Sequence, residues 1–331
     1  MDRLNFAVIG LGVMGKRRAK TITESHNANL KWVYDIDKNL AERMASEYRC
    51  KCTPDMKDIL QDNTIDVIVV SVPNKHHASI AIPALEHGKH VLCEKPMAIS
   101  PDEAHRMVQV AKTHNVFLKV GSNHRYFPNV IKAKELINSG IIGRPVVFRG
   151  WIGHDGSKFG SEWFKNYDIV GGGTLLDNGC HIIDIARMLL GEVKQCFAET
   201  DNLIKKDIKP AEDYASVVYR TAQGGIISLN CSWFEWYGYL YFEVFGDKGF
   251  VIVDARYGNR LSWGLKGEDS LQIFDFTNKP QQSYGIELER FIESIRSGLE
   301  PEPSGKDGAR VVDMIHAAYK SSASGTRIDL A

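Results

Sequence analysis

The stretch with the greatest chemical potential runs from residue 171 to residue 184 and reads GGGTLLDNGCHIID. On a helix, Asp177, His181 and Asp184 fall at positions i, i+4 and i+7, which places them on one face. Histidine titrates near neutral pH and suits general acid–base catalysis, and a carboxylate one turn away can orient it. The alternative is a buried Asp–His pair with a purely structural role. One histidine and two aspartates do not make a two-histidine metal site, so we expect no metal.

A second motif, G-x-G-x-x-G, spans Gly10 to Gly15 between a predicted strand and a predicted helix. Its glycines permit a tight turn, close approach of a pyrophosphate and packing of helix on strand, and the helix N-terminus offers free N–H groups. Asp35 lies 20 residues beyond Gly15, where a carboxylate binds ribose hydroxyls and repels a 2′-phosphate. The alternative is that Asp35 only caps the next helix. The motif predicts NAD, with NADP less favoured although Lys38 and Arg43 are near in sequence.

The third candidate is Lys95, in the sequence Cys-Glu-Lys-Pro that ends a predicted strand at Cys93. Catalytic groups of open parallel sheets lie at the carboxyl ends of the strands. The following proline disfavours helical backbone at Lys95 and holds the strand end extended or turned. We therefore expect Lys95 to face the crevice where a nicotinamide would lie; an ordinary surface charge is the alternative.

Composition limits the functions that these residues can serve. The chain has 331 residues, which argues for two domains, and its 41 basic residues cancel 41 acidic ones, which disfavours nucleic acid or a membrane surface as partner. No apolar run approaches the roughly 20 residues of a membrane span. The six cysteines form no CxxC pair, which is typical of free thiols in a reducing cytoplasm. The glycine-interrupted amino-terminal stretch is interpreted as a strand, not a signal peptide.

The pattern of elements predicts two different folds. Short Val/Ile-rich runs at 5–9, 30–34, 67–72, 90–93 and 117–120 alternate with helical segments, which indicates βαβ units and a Rossmann doubly wound parallel sheet over residues 1–122. Over residues 123–331 we expect an α+β domain: helices at 128–139 and 174–190, a mostly antiparallel open sheet over 195–276, and two closing helices. The helices would cover one face of that sheet.

These motifs together resemble the Gfo/Idh/MocA oxidoreductases, named for glucose-fructose oxidoreductase and inositol dehydrogenase. The resemblance covers essentially the whole chain. The matching segments are Gly10–Gly15, Val72-Pro73-Asn74 with His77, Glu94-Lys95-Pro96, His124-Arg125-Tyr126, Trp163-Phe164, Gly171–Gly173 with Asp177 and His181, and Ala317-Ala318-Tyr319 with Ser321 and Gly325.

The resemblance implies NAD(P)-dependent oxidation of a secondary hydroxyl of a sugar, nucleotide-sugar or cyclitol, or the reverse reduction. It makes His181 the general base, Asp177 its orienting partner or a substrate ligand, and Lys95 the group that bonds the reacting oxygen. The implied cofactor contacts are Gly10, Gly12, Val13, Met14, Gly15, Asp35, Ser71, Pro73, Asn74, His77, Glu94, Lys95, Arg125 and Trp163. The implied substrate contacts are Lys95, Arg125, Tyr126, His154, Asn178, His181 and Tyr284.

Two other functions stay open on the same scaffold. One is an NAD-dependent glycosidase, which would release a free sugar with no net NADH. The other is a non-catalytic NAD-binding regulator, which the presence of Lys95, Asp177 and His181 disfavours. The sequence selects neither the sugar nor the carbon that is oxidised.

The strand region also predicts a homodimer or homotetramer through the carboxy-terminal sheet. Alternate residues of a strand face opposite sides, so a dense aromatic run cannot all enter one core, and an exposed aromatic patch usually marks an interface. Proteins similar to this one are commonly dimers or tetramers joined through this sheet. The aromatic residues of the run are Trp233, Phe234, Trp236, Tyr237, Tyr239, Tyr241 and Phe242.

Overall fold

The computed structural model describes residues 2–156, 162–236, 238–256, 258–278 and 282–330. The chain divides into two compact units. Unit 1 comprises Met1–Asn123 with Tyr284–Arg310, and unit 2 comprises His124–Ser283 with Val311–Ala331. The division predicted from the sequence, between residues 122 and 123, placed the segment 284–310 in the second domain, whereas the structure counts it with unit 1.

Strands and helices are numbered in chain order over the described residues. The strands are β1 (Leu4–Ile9), β2 (Ala28–Tyr34), β3 (Lys51–Cys52), β4 (Val67–Val70), β5 (His90–Glu94), β6 (Leu118–Gly121), β7 (Pro145–Gly153), β8 (Val193–Asp201), β9 (Tyr214–Thr221), β10 (Ile226–Ser232), β11 (Leu240–Gly246), β12 (Gly249–Asp254), β13 (Arg260–Leu265), β14 (Gln272–Asp275) and β15 (Ile328–Asp329). The α-helices are α1 (Val13–Glu24), α2 (Lys38–Tyr48), α3 (Met56–Gln61), α4 (His77–Glu86), α5 (Pro101–Thr113), α6 (Pro128–Asn138), α7 (Tyr167–Val170), α8 (Cys180–Leu190), α9 (Ser283–Ser297) and α10 (Gly305–Ser324). No helix in the described residues is long and apolar enough to cross a membrane.

The described strands of unit 1 form a six-stranded parallel sheet in the order β3-β2-β1-β4-β5-β6. The order reverses between β1 and β4, which is the switch point at which sheets of this kind form a ligand crevice. β4 is buried throughout, as expected of a strand covered on both faces. The predicted doubly wound sheet is confirmed.

The segment 284–310 joins unit 1 through its apolar residues. Leu288, Phe291 and Ile292 of α9 are buried in the same cluster as Phe6 and Val8 of β1. The sequence pattern identified α9 as a helix, but the partner of its apolar face is nearly 300 residues away along the chain. Periodicity along a helix does not indicate which distant strand it covers.

In unit 2 the described strands form a nine-stranded sheet in the order β14-β13-β12-β11-β7-β10-β9-β8-β15. Its neighbouring pairs are antiparallel except β7 and β10, which are parallel. The core packs α6, α8 and the part of α10 from Val311 onward against the sheet, through residues such as Val130, Ile183 and Ile315. The predicted mostly antiparallel open sheet is confirmed.

The helix predicted over 174–190 is not a single α-helix. Residues Leu175–Gly179 form a π-helical segment, and the regular α8 begins at Cys180. A π turn contains an extra residue, so the side chains before and after it no longer follow the i, i+4, i+7 stripe of a continuous α-helix. This change directs Asp177, His181 and Asp184 toward different partners.

The aromatic run of unit 2 does not form one exposed patch. Trp233 and Phe242 are fully buried, whereas Trp236 is 66% exposed. Tyr239 bonds to His124, and Tyr237 lies outside the described residues. The open face of the sheet also carries the half-buried Trp151, which the sequence did not indicate: its ring stacks on that of Tyr241 at 4.2 Å.

Candidate active site

The glycine-rich turn of unit 1 has the shape that a dinucleotide needs. Gly10 has a φ of +88°, and a Cβ there would lie 2.6 Å from the carbonyl oxygen of Ser71; a Cβ on Gly15 would lie 1.8 Å from the oxygen of Gly10. At Gly12 a Cβ would meet no atom of the described residues within 4 Å. Gly10 and Gly15 thus close the turn, and Gly12 leaves the backbone open for a phosphate at the start of α1.

Asp35 at the end of β2 is tied to this turn. Its Oδ2 accepts a hydrogen bond from the N–H of Leu11 at 2.7 Å, and its Oδ1 accepts from the N–H of Asp37 at 2.9 Å. The cap of α2 is Asp37, not Asp35, so the capping alternative for Asp35 is wrong. Val13 is 62% exposed and Met14 half-buried beside the turn. These residues fit NAD, with Asp35 at the ribose end.

The segment after β4 carries four residues predicted to contact the cofactor: Ser71, Pro73, Asn74 and His77. Ser71 donates from Oγ to the carbonyl oxygen of Gly10 at 2.9 Å. His77 is fully buried, with Nδ1 2.8 Å from the carbonyl oxygen of Pro96 and Nε2 2.9 Å from that of Val72. Burial lowers the pKa of this imidazole. His77 therefore joins the segments around Val72 and Pro96 to each other, and its contact with the cofactor stays a prediction.

Glu94 is anchored inside unit 1. Its Oε1 accepts from Nε of Arg18 at 2.5 Å, and the same guanidinium donates to Oε2 of Glu287 at 2.6 Å. All three side chains are at least nine-tenths buried. Lys95 follows the anchored residue at the carboxyl end of β5 and is half-buried. The carboxylates of Glu94 and Glu287 thus fix the strand end from which Lys95 projects.

Tyr284 lies in unit 1 and packs on α1. Its ring sits beneath the guanidinium groups of Arg17 and Arg18, at 5.0 and 4.9 Å, and its hydroxyl accepts from Arg17 at 3.1 Å. Sequence reasoning placed this tyrosine in a substrate pocket with residues of the sheet. The structure places Tyr284 against the helix that follows the glycine-rich turn, and its contact with substrate stays a prediction.

Asp177 is the centre of a polar cluster in unit 2. Trp233 donates from Nε1 to its Oδ2 at 3.1 Å, and Nε2 of His154 lies 3.6 Å from the same oxygen. Nδ1 of His154 accepts from the N–H of Gly156, so the proton of the neutral ring is assigned to Nε2, facing Asp177. The structure thus brings together two predicted site residues and adds Trp233, which the sequence did not mark because its partner is 56 residues away.

His181 projects from α8 and is 4% exposed. Its ring contacts that of His124 in a tilted arrangement, with centroids 3.7 Å apart and 34° between the ring planes, and His124 also bonds through Nε2 to the hydroxyl of Tyr239. His124 was quoted from the sequence only as the neighbour of Arg125, and Tyr239 only as an interface residue. Both belong to the surroundings of the candidate base.

Asp184, the last member of the predicted stripe, pairs with Arg125 in a buried bidentate salt bridge, with Nε to Oδ2 at 2.7 Å. The salt bridge ties Arg125 to α8, and the cofactor and substrate contacts of Arg125 stay predictions. The neighbouring Tyr126 is 9% exposed. A buried pair of this kind holds two segments in register.

Two further predicted residues lie in unit 2. Asn178 is 5% exposed, and its Nδ2 has no hydrogen-bond acceptor within the described residues. Such a buried donor is costly unless a ligand or a water satisfies it. Trp163 is half-buried and stacks on Phe164 at 4.3 Å.

A glycine-rich turn shaped for a dinucleotide in one unit, and the polar groups at Asp177 and His181 in the other, are those expected of an NAD-dependent oxidoreductase. The profile of the oxidoreductase family with an NAD-binding Rossmann fold matches residues 4–122, and that of the GFO/IDH/MocA C-terminal domain matches residues 130–252. The chain belongs to the Gfo/Idh/MocA oxidoreductase family. The predicted family and cofactor are confirmed.

Similar proteins are matched over almost the whole chain. Myo-inositol 2-dehydrogenase of Thermotoga maritima is 31% identical over 325 residues, with 96% of each chain covered. Inositol 2-dehydrogenase of Rhizobium meliloti is 31% identical, with 99% of each chain covered. The structure of levoglucosan dehydrogenase in complex with NADH superposes with a TM-score of 0.92 at 27% identity and covers all of both chains.

Proposed function

We propose that this protein oxidises a secondary hydroxyl of a sugar or cyclitol with NAD, or reduces the matching ketone. The observation that carries the proposal is a set of polar groups on one segment of unit 2: Asp177 beside His154, His181 against the ring of His124, and the Asn178 amide nitrogen with no acceptor in the described residues. Several polar groups in one small region suit a ligand with several hydroxyls. Relatives named for inositol and levoglucosan support this substrate class.

In the proposed reaction, His181 accepts the proton of the reacting hydroxyl, and Lys95 stabilises the negative charge that develops on the oxygen. Bound NAD supplies the hydride acceptor. Asp177 accepts a hydrogen bond from Trp233 and faces Nε2 of His154. Its carboxylate orients the imidazole of His154 and accepts a hydrogen bond from a substrate hydroxyl. Asn178 donates to a substrate oxygen through its unsatisfied Nδ2.

The test is a panel of inositols, aldoses, anhydrosugars and nucleotide sugars, followed by NADH absorbance. We expect turnover with at least one polyhydroxylated compound and no turnover with simple secondary alcohols. A free sugar released from a glycoside without net NADH would instead establish the glycosidase alternative. NAD binding with no turnover of any compound would favour a regulator.

We expect NAD to bind more tightly than NADP. A 2′-phosphate would meet the carboxylate of Asp35, and the lost ribose hydrogen bonds and the repulsion should together cost about 2–4 kcal/mol. Asp35→Asn removes the charge but keeps an oxygen for the N–H of Leu11, so it should narrow the difference in affinity between NAD and NADP. Fluorescence titration with each cofactor measures the two dissociation constants.

The control for the cofactor preference is Arg43→Ala, because Arg43 and Lys38 are the two basic residues whose nearness to Asp35 in the sequence kept NADP open. This variant should leave both affinities unchanged. Tighter binding of NADP than NAD by the unaltered protein would contradict the assignment of Asp35.

We also propose a homodimer or homotetramer through the open face of the unit 2 sheet. This face carries the stacked pair Trp151 and Tyr241, with the guanidinium of Arg256 5.0 and 4.4 Å from their ring centres. Toward β8 and β10 it exposes Phe197 and Ile226, which are 39% and 37% accessible. A large mixed apolar and aromatic surface of this kind is typical of an interface.

Light scattering should therefore give a mass of two or four times 37.1 kDa. Phe197→Asp with Ile226→Asp should shift the mass toward the monomer, because two charges would be desolvated in the contact. Leu299→Asp is the matched control: Leu299 is 68% exposed but lies in unit 1, so the oligomer should persist. A monomeric unaltered protein would overturn the proposal.

A further inference from the structure

We propose that Glu212 is a positioning residue whose carboxylate holds the start of the segment that carries Asp177 and His181. The inference rests on the proposed function, because it concerns how that site is set in place. No motif in the sequence marks Glu212, which lies two residues before β9.

The contacts of Glu212 converge on three successive residues. Its Oε2 accepts from the N–H of Gly173 at 2.8 Å, and its Oε1 accepts from the N–H of Leu175 at 2.9 Å. Its own carbonyl oxygen accepts from the N–H of Thr174 at 3.0 Å. The hydroxyl of Tyr319 in α10 donates to Oε1 at 2.9 Å. One buried residue thus binds residues 173–175 and ties them to α10.

The start of a helical segment needs such an acceptor. The first N–H groups of a helix lack partners within it, and they are stabilised by a negative charge. Thr174 makes no capping hydrogen bond with its side chain, so the acceptor comes from elsewhere in the chain. The approach is so close that a Cβ on Gly173 would lie 1.9 Å from the carbonyl oxygen of Glu212. The third glycine of the GGG motif is therefore required by Glu212.

The anchored residues continue directly into the site. Leu175 opens the π-helical segment, Asp177 follows two residues later, and α8 then carries His181. A displacement at Leu175 would move the Asp177 carboxylate away from Trp233 and His154. Misplacement of a catalytic group by about 1 Å can cost about 100-fold in rate, so the anchor has a direct bearing on turnover.

The protonation state of Glu212 affects this anchor. Two N–H groups and one O–H group donate to its oxygens, yet burial raises the pKa of Glu212 to about 7. The titratable groups that interact with it are Tyr319, Tyr167 and Cys231. Because the pKa in the folded state is raised from 4.5, its contribution to stability is fully present below pH 4.5 and is lost as pH rises through 7. We therefore expect the segment 173–175 to open more readily above pH 7 than below it.

The decisive variant is Glu212→Gln, compared with Asp213→Asn as a matched control. Asp213 is the next residue, is equally buried, and its carboxylate accepts from the N–H groups of residues 203–205. In Glu212→Gln the NH₂ group of the new amide would face either the N–H of Gly173 or the N–H of Leu175 and the hydroxyl of Tyr319. At least one anchoring hydrogen bond would then be lost, because a donor would face a donor. We expect kcat to fall about 10- to 100-fold, with the Kd for NAD within about twofold. Asp213→Asn should keep kcat within about threefold of the unaltered protein.

Hydrogen exchange of the intact protein separates this inference from the proposed function, since it needs no substrate. Glu212→Gln should accelerate exchange in peptides covering 171–181, and Asp213→Asn in peptides covering 201–206. Equal effects of both variants on kcat, or unchanged exchange at 171–181 in Glu212→Gln, would overturn the anchor. If no compound is turned over, the proposed function fails and exchange still decides the inference.

A second variant and a pH series keep the inference testable if Glu212→Gln does not fold. Tyr319→Phe removes one donor and leaves two, so it should lower kcat by a smaller factor than Glu212→Gln. In the unaltered protein, protection of residues 171–181, corrected for intrinsic exchange, should fall as pH passes through about 7, because the buried carboxylate that forms there favours the closed segment less than the protonated carboxyl does. Constant protection between pH 5 and pH 9 would contradict the anchoring of this segment by Glu212.

Discussion

His181→Asn should lower kcat by about 10²–10⁴-fold, the usual contribution of a general base, while NAD still binds. His181 is 4% exposed and packs against the ring of His124, so its ring is held in one place and is not a mobile surface group. Asparagine retains a polar side chain and cannot take up the proton at neutral pH. Steady-state kinetics near pH 7 and a fluorescence titration of NAD measure the two effects.

His114→Asn is the control, because this residue is exposed at the end of α5 in unit 1. It should leave both kcat and the Kd for NAD unchanged. If His181→Asn keeps the turnover of the unaltered protein, His181 and His124 have a structural role, and the assignment of His181 as the general base is wrong.

Lys95→Met should lower kcat by about 10²–10³-fold, as the loss of one group that stabilises developing negative charge usually does. Methionine keeps most of the length of the side chain and removes only the charge and the donors. Glu94 is held by Arg18, so the backbone that presents residue 95 should not move, and the variant should melt near the temperature of the unaltered protein.

Lys112→Met, an exposed lysine in the last turn of α5, is the matched control and should retain full activity. A rise in KM with unchanged kcat for Lys95→Met would contradict a role in the transition state and would indicate that Lys95 only binds substrate.

The sequence reached the fold class because the patterns that define it are local. Runs of Val and Ile between helical segments indicate a parallel sheet wherever its strands pair. The GGG and Asp–His motif was identified as the site, yet the continuous helix drawn through it was wrong at the π-helical segment 175–179. The sequence also carried no sign of the acceptor for residues 173 and 175, which is Glu212, more than 35 residues further along the chain.

What the sequence determined by itself are features that depend on a few neighbouring residues. The turn at Gly10 needs a positive φ and the close approach at Gly15 needs the absence of a Cβ, and both follow from the residue types alone. The tertiary structure decided the partners of each charge: Trp233 and His154 at Asp177, Arg125 at Asp184, Arg18 at Glu94, and α9 on unit 1. Buried polar groups must find partners, but which partners they find depends on how distant strands and helices pack, and no local pattern contains that information.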